Sequence, residues 1–180
     1  MAYPNTVDPV FVSLAETYKK HPIEFPQLKG VTLAQWALES GWGNSSLAAK
    51  FKNFAGMKWR TYMADFAQPV KYSAHDGVTE YCQFETNRHF IEGFWARLDK
   101  ESMYKGWRKF TKDGETWIGF VGPIWYGLGV DPGKKYVGDV MRIHDAWEFT
   151  KEMENGNASK TVDWDHIRTH LAGRGTDPRV

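Results

Sequence analysis

The chain is 180 residues long, with 23 Lys and Arg against 22 Asp and Glu and a formal net charge of +1. No basic stretch supplies the electrostatic footprint of a nucleic-acid binder, and no run of about 18 apolar residues offers a membrane span. The single cysteine, Cys82, cannot close an internal disulfide or build a zinc site alone.

The opening Met1-Ala2-Tyr3-Pro4-Asn5-Thr6 lacks the basic and apolar regions of a secretory signal, so cytoplasmic synthesis is expected. The length suits one globular domain with a terminal extension. The expected division is a domain over 1–150, then a linker and short C-terminal helix over 151–180. Nine Trp, eight Tyr and eleven Phe are more than ordinary; core packing is the commoner fate of such rings, but flat faces also suit sugar rings.

In chain order, Asp8-Pro9 followed by Val10, Phe11, Leu14, Ala15 and Tyr18 predicts a capped first helix ending near His21-Pro22. Helical spacing through Leu28, Val31, Leu33, Ala34, Ala37 and Leu38 predicts a second helix over 27–40, stopped by Gly41. Asn44-Ser45-Ser46 offers caps for a short third helix over 47–51. Two alternating β-prone runs, 70–74 and 78–84, flank Asp76-Gly77, a strong hairpin signal. Phe90, Ile91, Phe94, Trp95 and Leu98 predict the next helix, capped by Thr86 or Asn87, and Trp117, Ile118, Phe120 and Val121 another. Pro123 and the glycines from 127 to 133 are expected to break the chain before a last core helix over about 135–147. The sum is an α+β fold, mostly helical with one small hairpin.

Glu39, in Leu38-Glu39-Ser40-Gly41-Trp42-Gly43, sits where a general acid has reasons to be useful. Cleavage of a glycosidic bond needs a carboxylic acid that protonates the leaving oxygen, usually with a second carboxylate across the bond. A helix C-terminus carries partial negative charge, and aromatic walls desolvate; both favour the protonated form. Trp42, Phe54 and Trp59 are near enough in sequence to form such walls.

Ala34-Gln35-Trp36-Ala37-Leu38-Glu39-Ser40-Gly41-Trp42-Gly43-Asn44-Ser45, followed by Lys52-Asn53-Phe54-Ala55-Gly56-Met57-Lys58, resembles the endo-β-N-acetylglucosaminidases of the flagellar-rod and autolysin type. The resemblance continues more weakly through Tyr81 to Phe94 and through Val130-Asp131-Pro132 to Tyr136, ending near residue 148. It implies a lysozyme-like fold, a helical lobe facing a small β-lobe across a groove, with Glu39 as the acid. Trp42, Asn53, Phe54 and Tyr126 follow from it as substrate-binding positions, and no metal or cofactor is implied.

The resemblance also implies a second carboxylate on the hairpin, but Ser73 stands there. Glu80, Asp76 and Asp65 are the substitutes at hand, with Glu80 preferred because it follows the turn on the second strand. Leu128 stands where the family has a tyrosine, so that role passes to Tyr126.

His166 and His170, four residues apart, lack the further ligands a zinc site needs. Cys82 has no nucleophile motif around it and reads as a buried thiol. The expected activity is therefore hydrolysis of peptidoglycan glycan strands. A muramidase, a lytic transglycosylase and a non-catalytic wall-binding protein are the alternatives. With its substrate outside the membrane, the chain would need holin-assisted release, as for a phage endolysin, or injection by a secretion apparatus, as for an effector matched by an immunity protein.

Overall fold

The computed structural model describes residues 7–75, 77–127 and 130–146. The expected linker, the helix near 163–171, His166, His170 and Asp76 lie outside the described residues. Six α-helices are described: α1 (Pro9–Lys20), α2 (Lys29–Ser40), α3 (Ser46–Phe51), α4 (Asn87–Lys100), α5 (Gly114–Tyr126) and α6 (Val130–Ala146). One antiparallel hairpin, β1 (Ala67–Ala74) and β2 (Gly77–Phe84), lies between α3 and α4. The protein is thus mostly helical with a two-stranded sheet, as the patterning predicts. Among the described residues no helix is long and apolar enough to cross a membrane.

Local chemistry starts the helices. The side chains of Asp8, Ser45, Thr86 and Asp113 each accept a backbone N–H of the first turn, at Val10, Ala48, His89 and Thr116, which satisfies donors that have no partner within the helix. Gly41 ends α2 at φ +56°, a left-handed cap that only glycine adopts without cost.

α2 is enclosed almost all round, with Val31, Leu33, Trp36 and Ala37 fully buried, and it packs on α1, α5 and α6. A helix buried on every side must satisfy its polar side chains internally. Thr32 does so by donating to the Leu28 carbonyl at 2.8 Å while its hydroxyl meets Tyr18 Oη at 2.7 Å.

Two expectations are corrected near the C-terminal end. Pro123 does not end a helix, because α5 runs on to Tyr126. A proline inside a helix removes one hydrogen bond and crowds the preceding turn. Here its ring is covered by α6: a Cβ at Gly133 would meet Pro123 Cβ at 2.9 Å, so the glycine allows a close approach that offsets the lost bond. α6 itself starts at Val130, earlier than the expected 135, with Pro132 in its first turn, where a proline lacks nothing because the N–H would have no partner anyway.

In the hairpin, Ala74 pairs with Gly77 and Ala67 with Phe84. Gly77 is therefore part of β2, and the connection falls one residue earlier than an Asp76-Gly77 turn. Segment 57–59 adds to the outer side of β2, through Cys82 N–H to the Met57 carbonyl and Trp59 N–H to the Glu80 carbonyl, both 2.9 Å. Cys82 is buried, and burial pushes its thiol up to about 12. Titration of the native protein with a thiol reagent at pH 8 should therefore leave Cys82 unlabelled, and addition of denaturant should release the signal.

Candidate active site

α2 delivers Glu39 in its last turn. The chain then reverses through Gly41, Trp42 and Gly43, all with positive φ. Trp42 at φ +58° is strained for an aromatic residue. The turn is held because Trp42 N–H donates to the Ala37 carbonyl at 2.8 Å and its own carbonyl accepts Asp8 N–H at 3.0 Å. A Cβ at Gly43 would lie 2.9 Å from Phe11 Cβ, so α1 closes tightly on this reversal.

Glu39 is half-buried. Tyr136 of α6 donates its hydroxyl to Glu39 Oε1 at 2.7 Å, and Gln35, one turn before Glu39, donates Nε2 to that same hydroxyl at 3.2 Å. The chain Gln35, Tyr136, Glu39 fixes the rotation of the carboxyl group. Tyr136 is 2 % exposed and its ring stacks on Tyr126, with centroids 5.2 Å apart.

Glu39 opens into a cleft of about 280 Å³. Ala55, Gly56, Lys58 and Arg60 from the segment after α3 line it, with Trp125 and Tyr126 at the end of α5 and Arg97 and Glu101 at the end of α4. The Arg97 guanidinium lies 4.4 Å from the Trp125 ring centroid, and its Nε is 3.4 Å from Glu101 Oε2. Tyr62 donates its hydroxyl to Glu101 Oε1 at 2.5 Å. Burial, then the neighbouring Glu101 carboxylate, push the Tyr62 phenol well above its ordinary range, so it remains a donor.

The residues singled out in the sequence divide between this cleft and the interior. Glu39 and Tyr126 line the cleft together. Trp42, 3 % exposed, sets its ring edge-on to Phe11 at 5.6 Å. Phe54, fully buried, packs on Phe90 at 5.2 Å. Neither ring is open to a ligand, so the direct substrate contact expected of them is replaced by packing beneath the cleft.

Asn53 is likewise 1 % exposed. Its amide donates to the carbonyls of Met57 at 2.9 Å and Cys82 at 3.0 Å and accepts Met57 N–H at 2.9 Å. It thus ties the loop bearing Ala55, Gly56 and Lys58 to β2. Asn53→Ala strands these buried backbone groups and should cost about 2–3 kcal/mol, read as a lower urea midpoint at unchanged slope.

Glu80 is exposed and paired across the strands with Lys71; it is not among the residues lining the cleft. Asp65 faces a different depression of about 410 Å³, shared with Glu85 and His89. That hollow is larger but contains neither Glu39 nor its partners. Among the described residues no group of His, Cys, Asp and Glu has the arrangement to hold a metal ion.

Sequence reasoning did not identify Arg97, Glu101 or Trp125 as cleft residues, nor Tyr62 as the partner of Glu101. Arg97 and Glu101 were legible as an i,i+4 opposite-charge pair, but that spacing most often marks a solvated helix face.

A central helix carrying Glu39, surrounding helices and a small hairpin beside an open cleft make a lysozyme-like fold. Residues 15–162 match the glucosaminidase family, described as mannosyl-glycoprotein endo-beta-N-acetylglucosaminidase. The chain belongs to this glucosaminidase family and is a glycosidase. In fold it is similar to the catalytic domain of the autolysin Auto from Listeria monocytogenes, with a TM-score of 0.51 and 19% identity over 81% of this chain and 89% of that one. No curated protein sequence matches.

Proposed function

We propose that the protein hydrolyses the glycan backbone of peptidoglycan at N-acetylglucosaminyl β-1,4 linkages, with Glu39 as the general acid. The observation that carries this is the placement of Glu39, brought by a buried helix to the edge of an open cleft and pinned at Oε1 by Tyr136. An acid must be aimed at the oxygen it protonates, and a carboxyl group held by a buried hydroxyl keeps its orientation without rearrangement during the reaction. Its proton passes to the glycosidic oxygen as the bond to the anomeric carbon breaks, and water then adds at that carbon.

Tyr126, half-buried on the cleft and stacked on Tyr136, offers a flat face and a hydroxyl to the sugar next to the scissile bond. Tyr126→Ala should lower kcat/KM on solubilised glycan strands by roughly tenfold, the loss of one stacking contact of about 1.4 kcal/mol. Delivery to the wall by holin-assisted release or by a secretion apparatus belongs to the same proposal.

Digestion of purified cell walls, followed by mass spectrometry of the reducing ends, tests the bond. N-acetylglucosamine at the new reducing end is the expected result. N-acetylmuramic acid there would assign a muramidase, and an anhydro ring a lytic transglycosylase. Binding without release of any fragment would make the protein a wall-binding one.

A further inference from the structure

We propose that Glu101 is the second catalytic carboxylate of this cleft, the base that takes the proton of the attacking water. The inference rests on Glu39 being the acid. A hydrolase with one acid still has to activate water on the opposite face of the sugar, and a second carboxylate does this in the two-carboxylate scheme. Among the described residues the hairpin does not bring one: Glu80 is exposed outside the cleft, and Asp65, just before the hairpin, faces the other depression. Among the described residues, the carboxylates that line the cleft are Glu39 and Glu101.

Their placement suits a division of labour. Glu39 comes from the end of α2 and Glu101 from the cap position that follows α4, so they enter the cleft from different helices. Both carboxyl groups are felt by the buried Tyr104 phenol: burial pushes it up to about 12, Arg97 pulls it down, and Glu101 and Glu39 each raise it. The Glu101 side chain is 15 % exposed, with Oε1 toward Tyr62 and Oε2 toward Arg97. Arg97 is itself laid against Trp125, so the carboxylate is held by Tyr62 on one oxygen and by a braced guanidinium on the other. Glu101 also borders an adjoining hollow of about 280 Å³ with Ser102, Lys105 and Trp107. Glu101 therefore lines two hollows, the one it shares with Glu39 and this one.

The step balances in one turnover. The bond from the anomeric carbon to the leaving oxygen breaks, and that oxygen receives the Glu39 proton. The water oxygen bonds to the anomeric carbon and its proton passes to Glu101. Exchange with solvent then returns Glu39 to the acid form and Glu101 to the carboxylate. Direct attack by water inverts the anomeric centre.

Glu101→Gln retains an acceptor for Tyr62 but takes no proton, which separates chemistry from packing. On purified walls it should reduce the clearing rate at least about 100-fold, with a melting temperature lowered by no more than about 4 °C through loss of the Arg97 ion pair. It should also remove the acidic limb of the kcat–pH profile. The charged and titratable groups around that limb are Tyr62, Arg97, Tyr104, Lys58, Arg60 and Glu39, so Tyr62→Phe, which should leave the limb in place, is the control. Azide added to Glu101→Ala should restore turnover and yield a glycosyl azide, and NMR of fresh wild-type product should show the inverted anomer.

A Glu101→Gln rate within threefold of the unmutated protein overturns the proposal, as does a retained anomer or an inactive Glu101→Ala that azide does not restore. Glu39→Gln distinguishes the two readings. If it stays active, the assignment of Glu39 fails. If it is inactive while Glu101→Gln is active, only the role of Glu101 falls.

Discussion

Glu39→Gln should clear purified cell walls about 1,000-fold more slowly than the unmutated protein while binding them equally well. General acid catalysis contributes roughly 100- to 10,000-fold, and the amide has no proton of suitable acidity to give. The substitution is otherwise mild. The amide oxygen would still offer Tyr136 an acceptor at the place where Oε1 receives its hydroxyl at 2.7 Å, and Gln35 would still donate to Tyr136. The melting temperature should therefore stay within about 2 °C, because the buried Tyr136 hydroxyl keeps an acceptor. Parallel sedimentation with insoluble walls and release of soluble sugars separate binding from turnover. A clearing rate within threefold of wild type would remove Glu39 from the mechanism.

Trp36→Ala should be the most destabilising of the substitutions considered. Trp36 is fully buried one turn before Glu39 and packs against Tyr18 of α1 at 4.6 Å and against Phe90 and Phe94 of α4 at 4.9 and 5.1 Å. Deleting a buried indole removes its transfer free energy and leaves a cavity, together about 3–5 kcal/mol. Domains typically have about 5–15 kcal/mol in total. At about 2–4 °C per kcal/mol for a chain of this size, the melting temperature should fall by roughly 10–15 °C, read by calorimetry. Trp36→Phe keeps part of the packing and should recover about half the loss. A shift under 3 °C for the alanine variant would show that α2 is held elsewhere. The coupling to function is direct, since α2 is the element that aims Glu39.

The signals that were legible in the sequence are local ones. Asp8 before Pro9, Ser45, Thr86 and Gly41 act within one turn of themselves, and each sits at the helix end where the residue type alone suggests. The hairpin was legible for the same reason, because alternation and a turn signal lie within one short stretch. Pro123 misleads because its local rule is outweighed by a distant contact, Gly133 on α6. Trp42 and Phe54 mislead because an aromatic residue beside the Glu39 segment has the same pattern whether its ring faces the cleft or the core.

The amino-acid sequence by itself determined the helical order, the hairpin, the position of Glu39 at a helix end, and the kinship carried by the segments around Glu39 and Asn53. These depend on neighbours within a few residues, so chain order encodes them. The tertiary structure alone decided which side chains share the cleft. It sent Trp42, Asn53 and Phe54 inward, left Glu80 outside, and joined Glu39 to Tyr136, 97 residues away, and Glu101 to Tyr62, 39 residues away. The physical reason is that a site is an intersection of elements. Each helix encodes its own buried face, while the point where the ends of α2, α4 and α5 meet, with Tyr136 of α6 behind Glu39, is set by packing among them.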